Sequence, residues 1–227
     1  MNTKNELKFD NLENMDNILI FVGASGSGKT TLVHYLKDTL DIPQLITTTT
    51  REPRIGEEHG VDYYFVQHRH FSEALMNGMF VESTNYAGNL YGLTKAEINK
   101  NAGNVSCIVT DVNGARALAD LYPDRVLIFW LESNPFSLIR RLKSRKESLW
   151  NIGKRLIKAF NNKEFNVPSA MFVDVSFTTI HSSDNLINNF GIVYYKLLTA
   201  EFQKNTEKLS ELQKEKEINN NVRKTLL

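Results

Sequence analysis

One cysteine in 227 residues, Cys107, has no partner for an intramolecular disulfide and rules out a multi-cysteine zinc site. No run approaches the ~20 apolar residues needed to span a bilayer. The opening MNTKNELKFDNLENMDN is polar and acidic and lacks the apolar core of a signal peptide. A cytoplasmic chain without a membrane partner is therefore expected. An excess of one charge is missing too. The 27 Lys+Arg against 26 Asp+Glu give +1, which argues against a globally basic nucleic-acid binder, and no nucleic-acid partner is expected. Only 5 prolines are present, and no Pro/Gly/Ser-rich linker or internal repeat divides the chain. What remains, 41% hydrophobic and 23% charged, is near the globular average and excludes wholesale disorder and fibrous repeats.

ILIFV, residues 18–22, is a short apolar run rich in β-branched residues, the pattern of a strand buried on both faces. A glycine-rich turn follows, and then Leu32, Val33, Leu36 and Leu40 recur at helical spacing up to Pro43. Further strands are expected at 105–110 (VSCIVT) and 126–131 (VLIFWL), with a weaker one at 177–180 (FTTI). Helical patterns lie between and after them, one opening at Asn134-Pro135, one carrying Leu149 to Phe160, and one from Leu186 to Leu198. Buried strands alternating with amphipathic helices predict an α/β fold with a parallel sheet between two helical layers. The segment 47–95, rich in Thr, Tyr and Gly, breaks the rhythm. It reads as a mixed insertion with strands near DYYFV and MFVES and a helix at 70–77. Residues 1–17 read as a flexible lead-in and 201–227 as a charged helical extension that frays. Its 6 Lys+Arg and 5 Asp+Glu surround an apolar stripe too sparse for a dimer seam.

Gly23-Ala24-Ser25-Gly26-Ser27-Gly28-Lys29-Thr30 satisfies G-x-x-x-x-G-K-[ST] between a buried strand and an amphipathic helix. The glycines let successive N–H groups turn toward phosphate oxygens, and the helix N-terminus adds partial positive charge. Lys29 can reach the β/γ-phosphates, and the Thr30 hydroxyl can ligate Mg²⁺. This much identifies only a nucleoside triphosphate site, with Mg²⁺ the ion that the Thr30 hydroxyl would ligate.

The next block, TTTTREPRIGEEHGVDYYFV, together with FVE at 80–82 and YAGNLYG at 86–92, resembles the guanylate kinase family over about residues 18–190. The resemblance implies a P-loop core, within a domain at 18–200, that carries a monophosphate-binding insertion (47–95) and a helical lid (142–163). It implies transfer of the γ-phosphoryl of ATP to a nucleoside monophosphate, GMP, by a monomer or weak homo-oligomer. Matched position by position, Arg51 and Arg54 hold the acceptor phosphate, where guanidinium forks grip oxygens bidentately. Tyr63 and Tyr91 offer hydroxyls to the same phosphate. Glu82 accepts from guanine N1–H and its amino group, Thr47 stands near the base, and Asp111 is one of two acidic residues at a strand end. Arg141, Arg145 and Arg155 match lid arginines, with Lys29, Arg54, Arg145 and Arg155 the implied catalytic set.

Residues 140–163 hold nine basic residues and one acid, a net +8 that leaves −7 on the rest of the chain. Such a segment suits clustered phosphates. Three departures from the family pattern stand out. Leu93 follows Tyr91-Gly92 where a base-reading Ser or Thr is usual, with Thr94 next as a possible replacement hydroxyl. Val109 takes the place of the first strand-end acid, and His181 that of an adenine-contacting Asn. The lid is also about one residue short between Arg145 and Arg155. Leu93 keeps open a kinase for another nucleotide or phosphorylated small molecule, and scaffold-type guanylate kinase-like modules keep open a non-catalytic binding role. His68 and His70 read as surface residues, and Cys107 as a small packed hydrophobe.

Overall fold

Ile18–Gly23 (β1) is the central strand of the first sheet, and its first five side chains are at most 1% exposed. Only a strand covered on both faces needs so continuous an apolar run. It pairs in parallel with Ser106–Val109 (β6) on one side and Val126–Glu132 (β7) on the other. Ser176–His181 (β8) adds in parallel beyond β7, giving the order β6-β1-β7-β8. These are the four strands expected from composition. The computed structural model describes residues 15–24, 26–86, 88–144, 149–161, 165, 172, 175–181 and 185–225.

Lys29–Leu40 (α1) follows β1 and buries Leu32, Val33 and Leu36. It ends where Asp41 turns left-handed (φ 55°) and donates its N–H to Lys37 O. The chain then runs along β6, with Cys107 N donating to Pro43 O and Leu45 N to Cys107 O. There it leaves for a second, mixed sheet. Its elements are Thr48–Thr49 (β2), Tyr64–Phe65 (β3), the helix His68–Met76 (α2), Phe80–Tyr86 (β4) and Asn89–Thr94 (β5). The strand order is β3-β2-β5-β4, with β2 parallel to β3 and antiparallel to β5. The expected insertion is thus a sheet of its own. His68 and His70 lie exposed on the first turn of α2.

Lys95–Lys100 (α3) brings the chain back to β6, and Val112–Leu121 (α4) covers the sheet beyond it. Pro135–Ser144 (α5) starts as its proline predicts, with Asn134 Oδ1 accepting from Phe136 N at 2.9 Å. Leu149–Asn161 (α6) and Leu186–Thr225 (α7) complete the elements described. The main core joins Ile18, Ile20, Ile108, Ile128 and Trp130 to Leu118 of α4. It also includes Leu93 at the end of β5 and Ile98 of α3, so the insertion is rooted in the core where it returns. Each such fully buried leucine or isoleucine contributes about 1.5–3 kcal/mol.

The chain divides into two units, Met1–Asn189 and Phe190–Leu227. In the second, Phe190 and Tyr194 stack with ring centroids 6.0 Å apart, one turn apart on the helix, and residues 203–208 are exposed. Of the expected lead-in, residues 1–14 lie outside the described residues. Met15 is buried, and Asp16 pairs with Arg125 at 2.6 Å. No helix among the described residues is long and apolar enough to cross a membrane.

Candidate functional site

At the carboxyl end of β1 the backbone folds into the glycine-rich loop. A side chain at Gly23 (φ 141°) would collide with Leu131 O of the neighbouring strand, and Gly28 (φ 101°) makes the left-handed step into α1. Lys29 folds back across the loop, its Nζ donating to Gly23 O (2.7 Å) and Ala24 O (2.8 Å) and lying 3.4 Å from Ser27 Oγ. Arg141 reaches the same loop from α5, with Nη1 3.2 Å from Ser27 O and 3.5 Å from Gly26 O. It is carried there by packing. Leu138 and Leu142, on the same face of α5, cluster with Ala24 and Ile152, and a Cβ at Gly26 would lie 3.4 Å from Leu142 Cδ2. Two cations and the N-terminus of a twelve-residue helix therefore meet at one loop, which is the chemistry of a polyphosphate cradle. Thr30 stands exposed on the first turn of α1. Ser25 lies outside the described residues.

The insertion gathers the second group. The Arg51 side chain is only 14% exposed, and its guanidinium Nη2 lies 2.9 Å from both carboxylate oxygens of Glu57. Its carbon sits 5.4 Å from the Tyr63 ring centroid and 5.7 Å from that of Phe65, and it hydrogen-bonds Tyr91. Tyr63 and Tyr91 meet edge to face at 6.1 Å. Burial, then the neighbouring Tyr91, holds the Tyr63 hydroxyl above its usual range, so it stays a donor. Arg54 is exposed, but its backbone N–H donates to Glu57 Oε2 at 2.8 Å. Burial would raise the Glu57 carboxyl. The Arg54 N–H and the Arg51 guanidinium outweigh it and hold that carboxyl below its usual range. Glu57 thus holds the Arg51 guanidinium and the Arg54 backbone.

Glu82 and Asp111 form the third group. Asp111 caps α4, its Oδ1 accepting from Gly114 N at 2.9 Å. The Glu82 carboxyl stands over the same turn, since a Cβ at Gly114 would lie 3.3 Å from Glu82 Oε2. Burial and the charge of Asp111 push Glu82 up to about 7, against a hydrogen bond from the Leu93 backbone. Thr47 is half-buried next to β2, its carbonyl accepting from Tyr64 N at 2.9 Å.

Several expected positions fall elsewhere. Arg145 and the side chain of Arg155 lie outside the described residues. Leu93 is fully buried in the core, and the Thr94 hydroxyl is engaged as the cap of α3, accepting from Glu97 N at 3.2 Å. His181 Nδ1 lies 2.9 Å from Glu132 Oε2. Cys107 is buried in β6, and burial pushes its thiol up to about 12, as a packed hydrophobe requires. Sequence reasoning also missed Glu97, which is 4% exposed and accepts from Ile46 N and the Tyr64 hydroxyl. A lone acid on a short helix carries no sequence signal of burial.

The cradle fits a nucleoside triphosphate. For Mg²⁺ the donor chemistry agrees in kind, since Thr30 offers a hard hydroxyl oxygen on the exposed first turn of α1. Mg²⁺ characteristically takes few protein ligands and shares the substrate's phosphates.

The guanylate kinase family model matches residues 15–185. The guanylate kinase of Myxococcus xanthus is 36% identical over 163 residues, covering 70% of this chain and 78% of that protein. That of Methylobacillus flagellatus is 31% identical over 173 residues, covering 75% and 86%. The crystal structure of guanylate kinase from Anaplasma phagocytophilum superposes with a TM-score of 0.62 at 22% identity, over 84% of this chain and 88% of that one, and shows the same fold. With a family match spanning the cradle and the insertion, the chain belongs to the guanylate kinase family and is a guanylate kinase-like phosphotransferase.

Proposed function

We propose that the chain transfers the γ-phosphoryl group of ATP to GMP, giving ADP and GDP. The observation that carries this reading is the pairing of a cationic phosphate loop with an insertion that sets Arg51 against Tyr63 and Tyr91, beside the Glu82–Asp111 pair. In this reading the loop N–H groups from Gly23 to Thr30 and the Lys29 ammonium hold the ATP phosphates, with Arg141 alongside. Arg51, Arg54, Tyr63 and Tyr91 hold the acceptor phosphate, and Thr47, Glu82 and Asp111 surround the base. Guanine presents two donors, N1–H and the amino group, to a carboxyl that must be anionic to accept both.

An acceptor phosphate oxygen attacks the γ-phosphorus while the bond to the β–γ bridging oxygen breaks, and ADP leaves with that electron pair. The acceptor is already an anion, so no strong general base is required. Alignment and positive charge do the catalytic work, with Arg145 and Arg155 closing from the 142–163 lid. The Thr30 hydroxyl would help hold Mg²⁺, which when bound would neutralise charge on the transferring group.

Burial of Leu93 in the core favours a second reading, a kinase with a different preferred acceptor, because a base-facing hydroxyl is absent at that position. Purified protein with Mg·ATP and a panel of nucleoside monophosphates separates the readings through ADP release and product identity. Dominant GDP supports the first and another dominant product the second. Ligand binding with no acceptor-dependent transfer favours a non-catalytic module.

A further inference from the structure

The chain crosses between its two sheets at two places in the described structure. The first is at Leu45–Thr47, where Leu45 still bonds to Cys107 of β6 while the Thr47 carbonyl already accepts from Tyr64 of β3. The second is α3, which follows β5 and is anchored by Ile98, 1% exposed in the core. Glu97, the residue before Ile98, joins both. Its Oε1 accepts from Ile46 N at 3.1 Å, in the middle of the first crossing, and its Oε2 accepts from the Tyr64 hydroxyl at 3.0 Å. Thr94 Oγ1 caps its backbone N–H at 3.2 Å, and the Asn101 side chain caps its carbonyl at 3.0 Å. At 4% exposure, a carboxylate with both oxygens satisfied is held in one geometry and transmits it.

We infer that Glu97, through Tyr64, is a positioning residue for the acceptor phosphate site. Successive side chains of a strand point to opposite faces. Tyr64 faces Glu97, while its neighbours Tyr63 and Phe65 lie against Arg51. Clamping the Tyr64 side of β3 to α3 sets where Tyr63 stands. Through the β2–β3 pairing, Thr48 with Tyr64 and Thr49 with Phe65, it also sets the strand that leads into Arg51. Thr49 Oγ1 accepts from Arg51 N at 3.2 Å, which carries the placement into the arginine itself. Among the described residues, the hydrogen bonds of Glu97 go to Ile46, Tyr64, Thr94 and Asn101 rather than to proposed substrate-binding side chains, so it acts by holding the strands that bear them.

This inference rests on the acceptor site proposed above, and the test separates the two. Steady-state kinetics with Mg·ATP and GMP would be run on the full chain as wild type, Tyr64→Phe, Glu97→Gln, Glu97→Ala and the Tyr64→Phe/Glu97→Gln double variant. The expected result is a KM for GMP raised about threefold in Tyr64→Phe and about tenfold in Glu97→Ala, the scale of one net hydrogen bond. The KM for ATP stays within about twofold, Glu97→Gln recovers part of the loss, and the double variant is no worse than its worse parent. A lowered melting temperature with an unchanged KM for GMP would assign Glu97 to stability alone and overturn the inference.

A wild type inactive on GMP refutes the proposed substrate. In that case amide hydrogen exchange on the same variants decides the inference. Faster exchange in Glu97→Ala across Ile46, Tyr64 and Val66 supports the clamp, and a change confined to Ile46 overturns it.

Discussion

Glu82→Gln offers a test in which stability and function move in opposite directions. Burial, with Asp111 beside it, holds the Glu82 carboxyl at about 7 where 4.5 is ordinary. Its folded value is raised, so the folded chain keeps the proton longer than the unfolded one. Below pH 4.5 both states are protonated and the residue costs nothing. The cost grows as pH rises toward 7 and is complete above it, at about 3 kcal/mol as an upper value. Glutamine keeps the shape and an acceptor for the Leu93 N–H but has no charge to bury. Urea unfolding of the ligand-free chain should show the two proteins within about 1 kcal/mol at pH 5, and the variant ahead by up to about 3 kcal/mol at pH 8. Binding of GMP should reverse the order. Two guanine donors facing an amide that offers one acceptor and one donor cost about 1.5–3 kcal/mol, a tenfold to hundredfold rise in KM at pH 8. A variant less stable than wild type at pH 8, or a stability gap that does not change between pH 5 and 8, would refute the buried-carboxyl argument.

Arg155→Ala should lower turnover by on the order of 10³ while leaving ATP affinity near wild type, as measured by steady-state kinetics and nucleotide titration; near-normal turnover removes Arg155 from the catalytic set. Leu93→Ser should raise the preference for GMP over IMP in competition assays if the missing hydroxyl relaxes selection, and an unchanged ratio dismisses that explanation. The same change empties a fully buried site, so its melting curve should report a loss of about 2–5 kcal/mol. Cys107, buried and held at about 12, should resist a thiol reagent at pH 8 until the chain is unfolded; rapid labelling of the native protein would contradict its packing.

The parallel sheet was legible because its strands must be apolar on both faces. ILIFV and VLIFWL carry no polar side chain and SCIV only the small, buried Ser106, and that constraint is local. The phosphate loop was legible for a related reason, since its glycines answer to the backbone alone, and Gly23 to a contact with Leu131. The insertion was recognised as a break in rhythm, yet β2 and β3 are two residues each, too short for periodicity to register. Glu57 and Glu97 escaped because their importance comes from partners placed by the fold. Glu57 bonds to Arg51 and to the Arg54 backbone, and Glu97 to two segments more than thirty residues away. Thr94 shows the same limit in reverse. Its type suggested a replacement hydroxyl for the base, whereas T-x-x-E opening a helix commits it to a cap.

Geometry separates the described cations of the 140–163 run, Arg140, Arg141, Lys143 and Lys154. Arg141 follows Leu138 by three residues and precedes Leu142, so the face of α5 that buries those leucines against the loop also carries Arg141 to Ser27 and Gly26. Arg140 and Lys143 lie on the exposed side of the same helix, and Lys154 stacks over Trp150 at 5.2 Å. An exposed cation in salt is screened within about 8 Å, so these three add to the general field that draws a polyphosphate toward the loop. Arg141 is different in kind. It is anchored by apolar packing, desolvated on one side, and already within hydrogen-bond reach of the cradle's backbone. Among the described cations of this run, two physical roles therefore separate, long-range attraction and local grip, and the leucines of α5 give Arg141 the second.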